Sequence, residues 1–324
     1  MSDLPLLPVP APLIMPPSGS SGKARMDYGL KYSFSETSSD DWRALYEDPA
    51  RFFAAVRACG VTFAEISWTE SDDSAAVLRA ASLLRSAGLW ASVHSYRDRA
   101  LAPEVFDAGA HTPILREILG TAEAVADLAG HDVPLVFHAG RALDEPHHRP
   151  LDQAMTSARA FVACADAETE RSFPHVRCLV ETQFPFGPHE APRIRLGDTY
   201  GDCLALVAGT GAGVCWDFGH SFLAWRRGKH SEAPPEAFLR RVGHVHAHDV
   251  VETDSGLEDH RPIGTGIVPW REHFRRLAAV GFSGPILFEV GVVPFGGYSP
   301  LADWLKAVIA EIEPLFAVGR PRSP

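Results

Sequence analysis

Residues 213–220 read GVCWDFGH and residues 243–250 read GHVHAHDV. In both segments a short apolar run leads into Asp and His residues, and CLVETQ (178–183) and ILFEV (286–290) lead into Glu in the same way. Short apolar runs of this kind are typical of strands that are buried on both faces of a parallel sheet. In a parallel α/β barrel, the C-terminal ends of the strands carry the chemistry. The four segments therefore predict one metal site that converging strands build together.

The same alternation of strand-like and helix-like runs extends over most of the chain. Four further strand-like runs precede the segments quoted above, at 26–34, 61–68, 89–96 and 133–140. Helix-like runs lie between and after the strands, at 41–60, 72–88, 113–130, 150–172, 200–211, 234–242, 269–281 and 300–316. Eight strands that alternate with eight helices imply a parallel sheet that closes on itself. We therefore predict the α/β class, with a single (β/α)8 TIM barrel over residues 26–316.

The two ends of the chain differ in composition from the predicted barrel. Residues 1–25 are rich in Pro, Ser and Gly and lack the basic and apolar regions of a signal peptide, so we expect a disordered tail. Met26 directly precedes the first strand-like run and is a candidate alternative start. Residues 317–324 are polar and contain Pro, which predicts a short C-terminal tail.

The bulk composition narrows the class of protein. Of the 324 residues, 46% are hydrophobic and 22% are charged, which is ordinary for a soluble globular protein. No apolar run approaches the roughly 18 residues of a membrane span. The five cysteines form no CxxC pair, so we expect a reducing, cytoplasmic environment. The net charge of −11 argues against nucleic acid as a partner, because phosphate binding requires clustered Lys and Arg.

Histidines are concentrated in the predicted strands. His244, His246 and His248 alternate along one run, and a period of two places all three on one face of a strand. That face points either into the barrel or outward to the helices. Three imidazoles packed against helices would be poorly satisfied, so we favour the inward face, with His246 deepest. His94 and His138 end the third and fourth strand-like runs, where each is either a core histidine or a ligand.

These segments resemble the motifs of the xylose-isomerase-like TIM-barrel superfamily, which includes sugar phosphate isomerases and epimerases and the AP endonuclease family 2. The motifs occur in family order, as VET, WDFGH, HVHAHD, DHRPIGTGIVPW and ILFEV. The resemblance implies one divalent metal (Mn, Co, Mg or Zn) held by Glu181, Asp217, His246 and Glu289. It also implies that the two Glu residues exchange protons with the substrate, while His220 and Arg261 bind substrate oxygens.

The resemblance leaves more than one reaction open. The first is isomerisation or epimerisation of a sugar or polyol derivative through a metal-stabilised enediolate, and a sugar-acid dehydratase would share its first step. The second is phosphoester hydrolysis with two or three metals, as in the endonuclease branch. That branch adds ligands that correspond here to His94, His138, His260 and Glu258, with Glu258 standing where the family has Asp. The net charge favours a small phosphoester over DNA.

A third interpretation is a barrel that binds a sugar or a metal without turnover. We rank it last, because such a protein has no need of both Glu181 and Glu289, and both are present. The partner we expect is therefore a small sugar-like substrate. The resemblance further implies that homo-oligomers are common among such barrels.

Overall fold

Eight parallel strands form the closed barrel that the sequence predicts. The computed structural model describes residues 26–33, 48–143, 150–186, 193–291, 295 and 298–318. The barrel strands are β1 (Tyr28–Tyr32), β2 (Phe63–Thr69), β3 (Trp90–Tyr96), β4 (Val133–Phe137), β5 (Val176–Glu181), β6 (Gly213–Asp217), β7 (Val242–Ala247) and β8 (Ile286–Phe288). Each strand pairs in parallel with the next, and β1 pairs with β8 to close the sheet. The predicted α/β barrel is thus confirmed.

Helices lie between the strands and surround the barrel. They span Pro49–Arg57, Ser74–Ser86, Asp98–Leu101, Ala108–Ala129, Leu151–Ser172, Tyr200–Leu206, Phe218–Arg226, Glu236–Leu239, Trp270–Ala279 and Tyr298–Val318, with a 3₁₀ turn at Pro103–Val105. Within the described ranges, no helix is both long enough and apolar enough to cross a membrane. The predicted tails, 1–25 and most of 317–324, fall outside the described residues, whereas 317 and 318 continue the last helix.

Capping residues explain why the helix within the run 72–88 is shorter than predicted. In the run 72–88, the Asp73 carboxylate accepts a hydrogen bond from the backbone N–H of Ala76 at 2.7 Å. An Asp in this position satisfies one of the free N–H groups of the first turn. At the other end, Gly88 has a φ of 79°, a left-handed conformation that favours glycine. The helix itself therefore covers only Ser74–Ser86.

Two of the segments predicted as strands contain more than a strand. In 213–220, β6 ends at Asp217 and the helix Phe218–Arg226 follows at once, because the Asp217 carboxylate accepts a hydrogen bond from the backbone N–H of His220 at 2.7 Å. In 243–250, β7 ends at Ala247. The next residues, Asp249–Thr253, pair in antiparallel with Gly256–Arg261 in a ribbon that the sequence pattern did not predict.

An apolar floor closes the N-terminal half of the barrel interior. A Cβ atom added to Gly29 would lie 2.4 Å from the Phe63 ring, so only glycine leaves room for that ring. Phe63 also stacks on Trp90, with 4.4 Å between ring centroids. Side chains alternate along a strand, so Lys31 and Glu65 share the faces of Gly29 and Phe63, two residues nearer the C-terminal end. The polar interior therefore begins directly above this floor.

His273 is a buried histidine that lies away from the polar interior. Its ring packs against Trp216 and Phe218, with centroids 4.8 and 4.9 Å away. Its Nδ1 atom makes no hydrogen bond to the part of the chain that the structure describes. Burial, helped by the charge of Arg276, lowers the pKa of His273 to about 3. The folded protein therefore keeps this imidazole neutral over a wide range of pH.

We expect His273 to make the folded protein less stable as the pH falls below about 6.5, the pKa of an unfolded histidine. Between that pH and about 3, His273 binds a proton in the unfolded chain but stays neutral in the folded protein. This difference removes about 1.4 kcal/mol of unfolding free energy per pH unit. Denaturant unfolding at pH 7, 6 and 5 measures it, with His273→Phe as the comparison. The variant should lose less stability than the wild type, and identical slopes would contradict the expectation.

Candidate metal centre and active site

Four buried side chains from neighbouring strands meet at the C-terminal end of the barrel. We call this set the central cluster, and it consists of Glu181, Asp217, His246 and Glu289. One donor atom from each residue lies within 4.8 Å of the others. His246 Nδ1 lies 3.1 Å from Glu181 Oε1, 3.0 Å from Glu289 Oε2 and 4.0 Å from Asp217 Oδ2. The structure thus brings together the four residues that the sequence motifs indicated as metal ligands.

The central cluster has the chemistry of a divalent-cation site. Three carboxylates at this separation repel one another unless a cation lies among them. Glu289 Oε2 is buried and makes no hydrogen bond to any described residue. Carboxylate oxygens and an imidazole nitrogen together suit Mn²⁺, Co²⁺ or Zn²⁺. These residues therefore fit a divalent metal, which would bind their converging oxygen and nitrogen atoms.

A second group shares Glu181 with the central cluster and adds His94 and His138. His138 Nε2 lies 2.9 Å from Glu181 Oε2, and its Nδ1 lies 2.8 Å from Asp98 Oδ2. A carboxylate on the far nitrogen is the usual way in which proteins orient a metal-binding imidazole. His94 Nε2 lies 3.4 Å from the same Glu181 oxygen, yet neither of its nitrogens makes a hydrogen bond to a described group. This arrangement can hold a second cation beside the first.

The protonation of these two groups follows from their mutual contacts. Burial alone would raise the pKa of Glu181, but His94, His138 and His246 hold it well below its usual range. Burial would lower the pKa of His138, whereas Asp98 and Glu181 raise it to about 10. The imidazoles thus supply the positive charge that the carboxylates attract. A divalent cation can take over this role and release the protons.

A third group of imidazoles lies at the mouth, formed by His220, His248 and His260. His248 Nε2 lies 2.9 Å from Asp217 Oδ1, and its Nδ1 accepts a hydrogen bond from the backbone N–H of His260 at 2.9 Å. The rings of His248 and His260 stack, with centroids 4.3 Å apart. His260 Nε2 is 3.8 Å from Glu289 Oε1. His220 and His260 therefore both lie beside the central cluster, where the sequence motifs placed them.

Glu258 and Arg261 lie apart from this group, on the ribbon. They form an ion pair with each other, and each side chain is 38% exposed. The ribbon carboxylate nearest His260 is that of Asp259, whose Oδ1 lies 3.0 Å from Nδ1. Within the described residues, the groupings suited to a metal ion contain neither Glu258 nor Arg261. Their predicted roles as a ligand and a substrate contact stay predictions.

The sequence reasoning missed several charged residues of the site, among them Glu65 on β2 and Lys31 on β1. Glu65 lies beneath the central cluster, with its Oε2 3.0 Å from His244 Nε2 and its Oε1 3.0 Å from His246 Nε2. Lys31 Nζ donates to Glu289 Oε1 at 2.8 Å and to the Tyr96 hydroxyl at 2.9 Å. A single charged residue within a buried strand needs a partner of opposite charge. The sequence positions of Lys31 and Glu65 could therefore have indicated that both belong to a polar site.

Asp249 fixes the turn that returns the chain from the ribbon to the barrel. Its Oδ2 accepts hydrogen bonds at 2.9 Å from the backbone N–H groups of Gly264 and Gly266, and its Oδ1 accepts one at 2.9 Å from that of Val268. A Cβ atom on Gly266 would lie 2.1 Å from the carbonyl oxygen of Val250, so this position requires glycine. The GTG turn thus has a structural role in holding the base of the ribbon.

Comparison with known proteins identifies a family with this architecture. The family model described as xylose isomerase-like TIM barrel matches residues 53–310. No curated protein sequence matches the chain. Among solved structures, D-psicose 3-epimerase from Clostridium cellulolyticum H10, crystallised with D-tagatose, is similar with a TM-score of 0.62 and 14% identity. The similarity covers 90% of this chain and 99% of the epimerase.

Two other solved structures share the fold at similar length. The 3-keto-D-glucoside 4-epimerase of E. coli has a TM-score of 0.58 and 15% identity, over 89% of this chain and 99% of its own. The mannonate dehydratase of Streptococcus suis serotype 2 has a TM-score of 0.64 and 9% identity, over 93% of this chain and 99% of its own. At such identities the comparison establishes the fold, and the reaction has to be argued from the site.

Proposed function

Because this chain belongs to the xylose isomerase-like TIM-barrel family, we propose that it is a divalent-metal-dependent isomerase or epimerase of a sugar or polyol derivative. The observation that carries the proposal is the central cluster, in which two glutamates, an aspartate and a histidine converge within 4.8 Å. The sugar epimerases among the similar structures support the substrate class. Glu181, Asp217, His246 and Glu289 would hold the metal.

The proposed reaction needs a base that stays ionised inside the barrel. A divalent metal supplies a Lewis acid that stabilises negative charge on adjacent substrate oxygens. Burial would raise the pKa of Glu289, but Lys31, followed by His246, holds it well below its usual range. The Glu289 carboxylate can therefore accept the proton from a substrate carbon next to a carbonyl group. The electron pair of that C–H bond then passes to the carbonyl oxygen.

Glu181 is the second acid–base group of the proposal. Its Oε1 atom lies 3.1 Å from His246 Nδ1, and its Oε2 atom accepts a hydrogen bond from Gln183 Nε2 at 3.1 Å. In an epimerisation, one glutamate removes a proton from one face of the carbon and the other returns a proton to the opposite face. In an isomerisation, a single glutamate moves the proton between neighbouring carbons. Both schemes use only residues already gathered in the central cluster.

A second candidate function rests on the group of His94, His138 and Glu181. The Asp98–His138 contact of 2.8 Å orients an imidazole toward Glu181, as expected of a second metal site. Two metals would suit hydrolysis of a small phosphoester, in which one activates water and the other stabilises the leaving oxygen. A dehydratase is the third candidate, because elimination begins with the same proton abstraction.

Hydrogen exchange at carbon tests the first proposal directly. We expect the metal-loaded protein to incorporate deuterium from D₂O into a ketose such as D-psicose, D-tagatose or D-fructose 6-phosphate, as followed by NMR. Glu181→Gln should suppress the incorporation. Release of inorganic phosphate from p-nitrophenyl phosphate, without deuterium incorporation into any sugar tested, would instead support the hydrolase.

A further inference from the structure

A cavity of about 230 Å³ lies beside the second metal-binding group. His138 and Gln183, which both contact Glu181, line its inner wall. Arg141 and Arg195 line its outer wall. The cavity therefore joins the proposed reaction centre on one side to two guanidinium groups on the other.

The two arginines occupy paired positions on the two strands of a short ribbon. Residues Arg141–Leu143 pair in antiparallel with Arg193–Arg195, and the register sets Arg141 directly opposite Arg195. Residues directly opposite in an antiparallel pair project their side chains to the same face, and like charges there repel each other. A bound anion between them would turn this repulsion into attraction, since two guanidinium groups are well suited to phosphate or carboxylate.

Arg195 is held in place before any ligand arrives. Its guanidinium carbon lies 3.9 Å from the centroid of the Phe184 ring and 4.5 Å from that of Phe186. Its NH1 group donates to Gln183 Oε1 at 3.3 Å, and the other end of that amide donates to Glu181. Stacking of this kind fixes the plane of a guanidinium group and reduces the entropy lost on binding. One amide thus links Arg195 to the central cluster.

Among the described residues that line the cavity, the three arginines outnumber the two carboxylates. Asp98 is engaged by His138, with 2.8 Å between Oδ2 and Nδ1. Burial raises the pKa of Glu104, while the nearby charge of Arg141 opposes that rise. Arg99 adds a further guanidinium group at the rim. Over these described residues, the balance of charge in the cavity therefore favours an anion.

We propose that this cavity, the arginine pocket, binds an anionic group of the substrate between Arg141 and Arg195 while the reacting carbons lie at the central cluster. The substrate is then a sugar phosphate or a sugar acid rather than a neutral sugar. This assignment rests on the proposed isomerase or epimerase function, whose site the pocket adjoins. Phosphate and carboxylate share the chemistry that the pocket recognises.

Matched pairs of charged and neutral sugars test the arginine pocket. Calorimetric titration of the metal-loaded protein would compare D-fructose with D-fructose 6-phosphate, and D-glucose with D-glucuronate. We expect at least one charged sugar to bind roughly tenfold or more tightly than its neutral partner. Whichever charged sugar shows the preference identifies the anion as phosphate or carboxylate. Equal binding within both pairs would overturn the proposal.

Arg141→Gln locates the effect in the pocket, because phosphate could also bind at the metal. The Arg141 side chain is exposed, so its replacement should leave the fold intact. We expect the variant to lose most of the preference for the charged sugar and to bind the neutral sugar as before. Arg141→Lys should keep part of the preference, and Arg79→Gln, at an outer residue that is 72% exposed, should keep all of it. An unchanged preference in Arg141→Gln would overturn the proposal.

Deuterium exchange in the same samples separates this proposal from the proposed function. Exchange into neutral and charged sugars alike, with no difference in affinity, removes the arginine pocket and leaves the isomerase or epimerase in place. A charged-sugar preference that Arg141→Gln abolishes, without exchange into any sugar, supports the pocket and counts against the proposed function.

Discussion

Replacing Glu289 with Gln is expected to lower kcat/KM by roughly 10²- to 10⁴-fold, the range typical of general acid–base catalysis. The amide keeps the size of the side chain but cannot take up a proton from carbon. It also cannot balance the charge of Lys31, whose Nζ donates to Glu289 Oε1 at 2.8 Å. Deuterium incorporation from D₂O is the most direct readout, because it reports proton transfer even when later steps are slow.

Two controls make the Glu289→Gln experiment decisive. Glu236→Gln alters an exposed carboxylate that pairs with Arg240 on an outer helix, and it should keep full activity. Metal content per chain, measured on each variant, distinguishes a lost base from a lost ligand. A Glu289→Gln protein that binds its full complement of metal and is fully active would contradict both the isomerase and the hydrolase schemes.

Replacing His246 with Ala is expected to weaken metal binding by more than about 100-fold, beyond the usual cost of losing an outer contact to a metal ligand. His246 Nδ1 is the atom that lies between Glu181 and Glu289, at 3.1 and 3.0 Å. Without it, three carboxylates face one another with no nitrogen donor. Elemental analysis of protein purified without chelator or added metal gives the number of ions per chain.

His138→Ala is the matched comparison, since it removes an imidazole from the second group only. We expect about one metal per chain in the wild type, and we expect that metal to survive in His138→Ala but not in His246→Ala. This pattern supports the isomerase or epimerase. Two or three metals per chain, one of which disappears with His138, would favour the phosphoester hydrolase instead.

The sequence predicted the barrel and the central cluster for the same physical reason. Buried parallel strands are apolar on both faces, so Glu181, Asp217 and Glu289 stand out where each apolar run reaches the end of the barrel. Because the C-terminal ends of parallel strands lie at the same end of the barrel, these three residues are expected to lie close together, whatever their side-chain conformations. His94 and His138 were found by the same argument, and the structure places both beside Glu181.

Residues inside strands or beyond them were harder to find. Lys31 and Glu65 occupy the first two strands, where the expected pattern placed no ligand, and their partners lie 258 and 179 residues away in the chain. Asp98 acts through His138, a contact that depends on the path of a loop. Asp217 is both the last residue of a strand and the cap of the next helix, so the sequence pattern did not predict the helix that begins at Phe218. None of these contacts follows from local periodicity.

The turn held by Asp249 has a practical consequence for protein engineering. Three backbone N–H groups donate hydrogen bonds to the Asp249 carboxylate and fix the base of the ribbon. Residues 253–256, at the far end of the ribbon, are exposed and take no part in these hydrogen bonds. Changes in the sequence or length of 253–256 are therefore expected to leave the base of the ribbon intact. His260, at the base of the same ribbon, would keep its place against His248 throughout. The far end of the ribbon can in this sense be redesigned without disturbing the contact between His248 and the backbone of His260.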